Sequence, residues 1–148
     1  MKQIKKVALA MLLVFFAANV WAQREIKMEG HDNLRFTVET IKASPGEKLK
    51  ITLTTVSSID KSQMAHNWVL LKKGTDGMNF VTKGLQHADN DYIDPALEGK
   101  VIAKTEMLGD GETDSIVFNV PDEKGTYEYV CTFKAHYQAG MKGQLMVQ

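Results

Sequence analysis

The chain has 148 residues, with 18 Lys and Arg balancing 18 Asp and Glu, four His, eight Met and one Cys. Its opening reads as a secretory signal peptide cleaved after Ala22: three lysines by Lys6, the apolar run Val7 to Ala18, too short to cross a bilayer comfortably, and the small residues Val20 and Ala22. Removing three leader lysines leaves residues 23–148, enough for one domain, with a net charge of about −3, which excludes a basic footprint for nucleic acid or an anionic membrane; no stable membrane insertion of these residues is expected.

In chain order, Leu34, Phe36 and Val38 alternate with Arg35, Thr37 and Glu39, and Leu49, Ile51 and Leu53 with Lys48, Lys50 and Thr52. A period of two is that of a half-buried strand. Trp68 to Leu71 is continuously apolar, as in a strand covered on both faces. Residues 73–100 break the pattern with Gly74, Gly77, Gly84, Pro95 and Gly99 among polar residues, and predict a long excursion carrying one short helix. Alternation resumes at Ile116, Phe118 and Val120, at Tyr127, Tyr129 and Cys131, and at Leu145 and Val147. Turn signals separate these segments at Ser44-Pro45-Gly46, Gly109-Asp110-Gly111 and Pro121 to Gly125. The pattern predicts an all-β fold, an antiparallel sandwich.

An exported protein ordinarily pairs its cysteines, so the lone Cys131 is a buried apolar residue, half of an intermolecular disulfide, or a metal thiolate. Its neighbours favour the last. The stretch from Cys131 through His136 to Met141 places a thiol, an imidazole and a thioether in one loop between two predicted strands. These soft donors favour copper over magnesium or calcium, and a Cys with two His and a distant Met is the donor set of electron-transfer copper sites. Of the remaining imidazoles His66 is the best second ligand, because it directly precedes the run Asn67 to Leu71 and would be held rigidly at the end of a core strand. His31 and His87 lie in polar, turn-like contexts and are read as surface residues.

Met64-Ala65-His66-Asn67-Trp68-Val69-Leu70, Thr75-Asp76-Gly77-Met78, Val101-Ile102-Ala103-Lys104-Thr105, Gly109 to Ser115 and Cys131-Thr132-Phe133 resemble the azurins in order and separation, over most of residues 23–148. The resemblance implies the cupredoxin fold, an eight-stranded Greek-key sandwich with a partly helical flap at about 73–100, holding one copper ion near one end. It further implies that the backbone N–H groups of Asn67 and Phe133 face the thiolate, that the Asn67 side chain ties the two ligand-bearing loops, that the Ala65 carbonyl makes a weak contact to the metal, and that Met64 and Met78 form an apolar docking patch around His136. Departures are visible. Four residues, Tyr137 to Gly140, separate the second His from the Met where azurins have three, a length that resembles the auracyanin branch. Lys134-Ala135 replaces Pro-Gly, which gives Lys134 an N–H near the sulfur. Ala65 replaces Gly, and the azurin disulfide has no second cysteine.

The expectation is a periplasmic blue-copper protein, not an enzyme, cycling between Cu(I) and Cu(II) with His66, Cys131 and His136 as strong ligands and Met141 as the axial one. Its partners would be redox proteins such as cytochromes or respiratory complexes, met by transient contact. A copper oxidase or nitrite reductase needs an open coordination position or further histidines, and four His leave little material for either. A binuclear centre bridged by two thiolates is excluded by the single Cys. Nucleophilic catalysis by Cys131 with His136 leaves His66 and Met141 without a role. The stronger competitor is an envelope protein that stores or delivers copper with the same soft ligands.

Overall fold

The computed structural model describes residues 22–148; the expected signal peptide, up to Trp21, lies outside the described residues. In order come β1 (Arg24–His31), β2 (Arg35–Phe36), β3 (Thr40–Ala43), β4 (Lys48–Val56), β5 (Val69–Leu71), α1 (Gly77–Gly84), short 3-10 helices at Ala88–Asn90 and Pro95–Lys100, β6 (Val101–Lys104), β7 (Thr113–Asn119), β8 (Gly125–Val130), α2 (His136–Ala139) and β9 (Lys142–Val147). They build two sheets, ordered β2-β1-β4-β7 and β3-β9-β8-β5-β6. The β1–β4 and β3–β9 pairs are parallel and the others antiparallel. Parallel neighbours force the chain to cross between sheets, giving a Greek-key sandwich in place of a simple meander.

Strand parity places the core. In β4, Leu49, Ile51 and Leu53 are buried and the residues between them are not, and these three meet Tyr127, Tyr129 and Leu145 of the facing sheet in one cluster. Trp68 lies fully inside it, with Phe118 and Tyr129 at ring separations of 5.8 and 5.4 Å. β5 is buried on both sides as its unbroken apolar run predicted. Leu70 faces the inter-sheet core, while Val69 and Leu71 join a second cluster with Phe80, Val81, Ile93, Val130 and Tyr137. That second cluster is the underside of the flap. The flap carries one α-helix, as expected, and two 3-10 segments besides. Asp76 caps α1 by accepting the Asn79 N–H at 3.0 Å, and Gly84 ends it against the Tyr92 carbonyl, where a Cβ would collide with the oxygen.

Two expectations need correction. The alternation over 34–38 is not one strand. Leu34 takes a left-handed conformation (φ 58°) in a turn closed by its N–H on the His31 carbonyl, Arg35–Phe36 pairs with β1, and the chain then crosses to the other sheet as β3. This crossing segment counts as two strands, which makes nine where eight were expected. β1 and β6 carried too little apolar alternation to be recognised from periodicity. In β1 an inward position is occupied by Gly30, whose missing side chain leaves room for Met141 and the His66 ring.

Candidate metal centre

The site lies at one end of the sandwich, where the chain leaves β8 and re-enters as β9. Cys131 follows β8 directly, and parity with Tyr127 and Tyr129 turns its side chain into the inter-sheet core, where it is 0% exposed. Its N–H donates to the Met141 carbonyl at 3.1 Å, closing the ligand loop at its base. On the other side His66 makes an isolated antiparallel bridge with Leu108, N–H to carbonyl at 2.9 Å and the reverse at 2.8 Å. Each ligand-bearing segment is thus fixed through its backbone. Asn67 joins the two, because its Nδ2 donates to Thr132 Oγ1 at 2.8 Å and its Oδ1 accepts the Thr132 N–H at 2.9 Å. The Thr132 hydroxyl in turn donates to the Asp91 carbonyl of the flap, which links flap and site.

His66 Nδ1 and His136 Nδ1 face each other at 3.2 Å, with Cys131 Sγ 3.5 Å from the His136 nitrogen and 4.0 Å from the His66 nitrogen. Donors held about 2.0 to 2.3 Å from one ion stand roughly 3 to 4 Å from each other, so the triangle has the size of a metal site. Among the described residues, these three form the one cluster of His, Cys, Asp and Glu side chains with that convergence. Met141, also 0% exposed, packs beside the His66 ring: a Cβ on Gly30 would touch the Met141 methyl at 2.9 Å and the His66 ring at 3.0 Å. The Ala65 carbonyl lies 4.0 Å from Cys131 Sγ. His31 and His87 are not part of the convergent group and lie beside Glu29 and Asp94 at 2.9 and 3.8 Å.

Burial sets the charge state. Desolvation holds both imidazoles down at about 4, with the Asp32 carboxylate pulling His66 the other way and His66 lowering His136 further. The same desolvation pushes the Cys131 thiol up to about 12, against the opposing hydrogen bonds of the Asn67 and Phe133 backbone N–H groups. Neutral imidazoles are ready ligands, and a thiol in such surroundings gives up its proton to a cation. Lys134 places its Nζ 5.9 Å from the Phe133 ring centre.

The comparisons with known proteins agree with this geometry. The family model described as copper binding proteins, plastocyanin/azurin family, matches residues 22–148. The chain belongs to this family. It is 32% identical to azurin of Pseudomonas aeruginosa over 148 residues, covering 97% of this chain and 98% of that protein. It is 45% identical to auracyanin-B of Chloroflexus aurantiacus over a shorter span, 55% of this chain and 35% of the relative. Among solved structures it superposes on dithionite-reduced auracyanin from the photosynthetic bacterium Roseiflexus castenholzii with a TM-score of 0.74 at 30% identity, covering 84% and 96% of the two chains. Auracyanin A, a "blue" copper protein of C. aurantiacus, gives 0.76 at 27% identity, covering 86% and 100%. These relatives support a blue-copper electron-transfer protein, and the cysteine, two histidines and methionine fit a single type 1 copper site.

Four contributors to this cupredoxin site escaped the sequence. Gly30 makes room for Met141 and His66, Leu108 holds the His66 backbone, Thr132 receives Asn67, and Arg35 reaches the far end of the ligand loop. A glycine inside a strand is a known sign of close backbone approach. The other three act through long-range pairings that leave no local pattern.

Proposed function

We propose that residues 23–148 act as a single-domain periplasmic carrier of single electrons, released from a leader ending at Ala22. Cys131 Sγ and the Nδ1 atoms of His66 and His136 would hold a copper ion as its strong ligands, with the Met141 thioether as a weaker fourth and the Ala65 carbonyl as a weak further contact. The observation that carries this reading is the 3.2 to 4.0 Å triangle of one thiol and two imidazoles, buried and anchored by backbone hydrogen bonds. Copper supplies the one-electron Cu(I)/Cu(II) couple. The protein supplies a frame in which ligands need not move between the two states. Asn67 and Phe133 stabilise negative charge on sulfur through their N–H groups, and such outer contacts tune a metal's potential.

His136 is the electron exit, since it keeps 3% of its surface exposed where His66 keeps none. Met78, 45% exposed on α1, and the half-buried Met64 would offer the apolar area for docking, and α1 packs against α2, which begins at His136. Modest apolar contact suits brief encounters with redox proteins such as cytochromes or respiratory complexes. Among the described residues no helix is long and apolar enough to cross a membrane.

Visible spectroscopy with voltammetry on the copper-loaded protein tests the reading. An intense thiolate-to-copper band that Cys131→Ala abolishes, with reversible one-electron cycling, is the expected result; a colourless or irreversibly reduced protein would point to copper storage or delivery. Met64→Lys should slow exchange with a partner while leaving the spectrum nearly unchanged.

A further inference from the structure

The four residues between His136 and Met141 are absorbed as one helical turn. α2 is closed by Gly140 in a left-handed conformation (φ 108°), whose N–H reaches the His136 and Tyr137 carbonyls, and the Met141 N–H donates to the His136 carbonyl at 2.9 Å. The last carbonyls of a helix have no donors within it. Here Arg35 Nη1 donates from across the molecule to the Ala139 carbonyl at 2.5 Å, and the same nitrogen donates to the Leu34 carbonyl at 2.9 Å. The guanidinium lies against Gly140, where an added Cβ would come within 2.7 to 2.9 Å of Nη1, Cζ and Nη2. A cation at a helix C-terminus is favoured both as a donor and by the helix dipole.

The entry to the spacer is fixed independently. The Tyr137 hydroxyl donates to Glu128 Oε1 at 3.0 Å, Lys142 Nζ sits 4.4 Å from its ring centre, and the ring fills the space beside Gly77 of the flap. With that end pinned, the exit towards Met141 is held by backbone bonds to His136 and Cys131, by Lys142 on Tyr137, and by Arg35, the side chain that donates to the last carbonyl of the turn. Arg35 stands on β2 opposite His31, next along β1 from Gly30, against which the Met141 methyl rests.

We propose that Arg35 is a positioning residue for the metal site: shared between the Leu34 and Ala139 carbonyls, its guanidinium fixes where the longer spacer places the Met141 thioether. The proposal rests on Met141 as the axial ligand.

Arg35→Met and Arg35→Lys test it, by amide hydrogen exchange at Gly140, Met141 and Lys142 against the β4 core amides, by Cu(I) release to a chelator, and by the EPR of the oxidised protein. Loss of one exposed, charge-assisted hydrogen bond predicts about fivefold faster exchange at the three loop amides in Arg35→Met. Core amides should be unchanged, copper release faster by a similar factor and the copper hyperfine splitting altered, with Arg35→Lys recovering part of each effect. Unaltered EPR and release, or core amides accelerating as much as the loop, would overturn the proposal. Should Arg35→Met not fold, Arg35→Lys decides alone, because the lysine side chain ends one atom short of the point from which Nη1 donates to both carbonyls; wild-type loop exchange and EPR in that variant would sink the idea. Met141→Leu separates the two readings: a wild-type copper signature there removes the axial ligand, whereas loop exchange in the Arg35 variants still reports whether Arg35 holds the turn.

Discussion

Gly30 shows how little room the site leaves. A methyl group there would meet the Met141 Cε at 2.9 Å and the His66 Cγ and Cδ2 at 3.0 Å, tighter than ordinary van der Waals contact. Since His66 is tied at its backbone to Leu108, the thioether is the group that yields. Gly30→Ala is expected to lower thermal stability by ~1–3 kcal/mol, as overpacking does, and to change the ratio of the thiolate-to-copper bands; a wild-type spectrum would show that Met141 can retreat without consequence. The buried titratable groups make a second prediction. The imidazoles of His66 and His136 fall from an ordinary 6.5 to about 4, so an unfolded chain takes up protons in that interval that the folded one refuses. Stability of the copper-free protein therefore falls as pH drops from 6.5 towards 4. The Cys131 thiol rises from 9.0 to about 12, so the unfolded chain loses a proton the folded one keeps, and stability falls as pH climbs above 9. Denaturant titrations should place the maximum between these limits, with the alkaline limb flattened in Cys131→Ala. Equal stability at pH near 5 and near 7 would contradict the acid limb.

At the scale of elements, what the sequence disclosed is what parity controls. The alternation ending at Cys131 put the thiol inside, the doubly buried β5 put His66 at the mouth of a core strand, and the scattered glycines of 73–100 marked the flap. What stayed hidden depends on contacts between distant segments. The break at Leu34 arises because the chain must change sheets, and an alternating pattern reads the same whether or not the strand does so. β1 was hidden because its functional position is a glycine. The spacing from His136 to Met141 gave the length of the loop but not its helical turn or the arginine from β2 that caps it. The Asn67–Thr132 bridge makes the clearest element-level prediction, because it is the side-chain link between the β8–β9 loop and the segment carrying His66. Thr132→Val keeps the shape and removes the hydroxyl, leaving Asn67 Nδ2 without its acceptor and the Asp91 carbonyl without its donor. An unsatisfied buried polar group costs roughly 1–3 kcal/mol. The variant should unfold at lower denaturant and release copper faster, while Ser at the same position retains most of the wild-type behaviour.

Over the whole molecule, the ligands are borrowed from a frame that is already complete. His66 hangs from a backbone bridge, Cys131 from the end of β8 and the Met141 carbonyl, and His136 from a turn seated on the flap, and none of these attachments passes through a metal. The core beneath, from Leu49, Ile51 and Leu53 across to Trp68, Tyr129 and Leu145, is likewise formed by side chains alone. Removing copper should therefore cost the binding free energy and little else. The copper-free protein is expected to keep the far-ultraviolet dichroism and the β4 amide protection of the loaded form, and to unfold at a lower temperature, by the amount that ligand binding to the folded state alone predicts. Loss of near-ultraviolet dichroism on copper removal would show instead that metal organises the core. The same rigidity serves electron transfer. Side chains held by backbone bonds that no metal supplies would have little to rearrange when a bound copper ion changed by one charge.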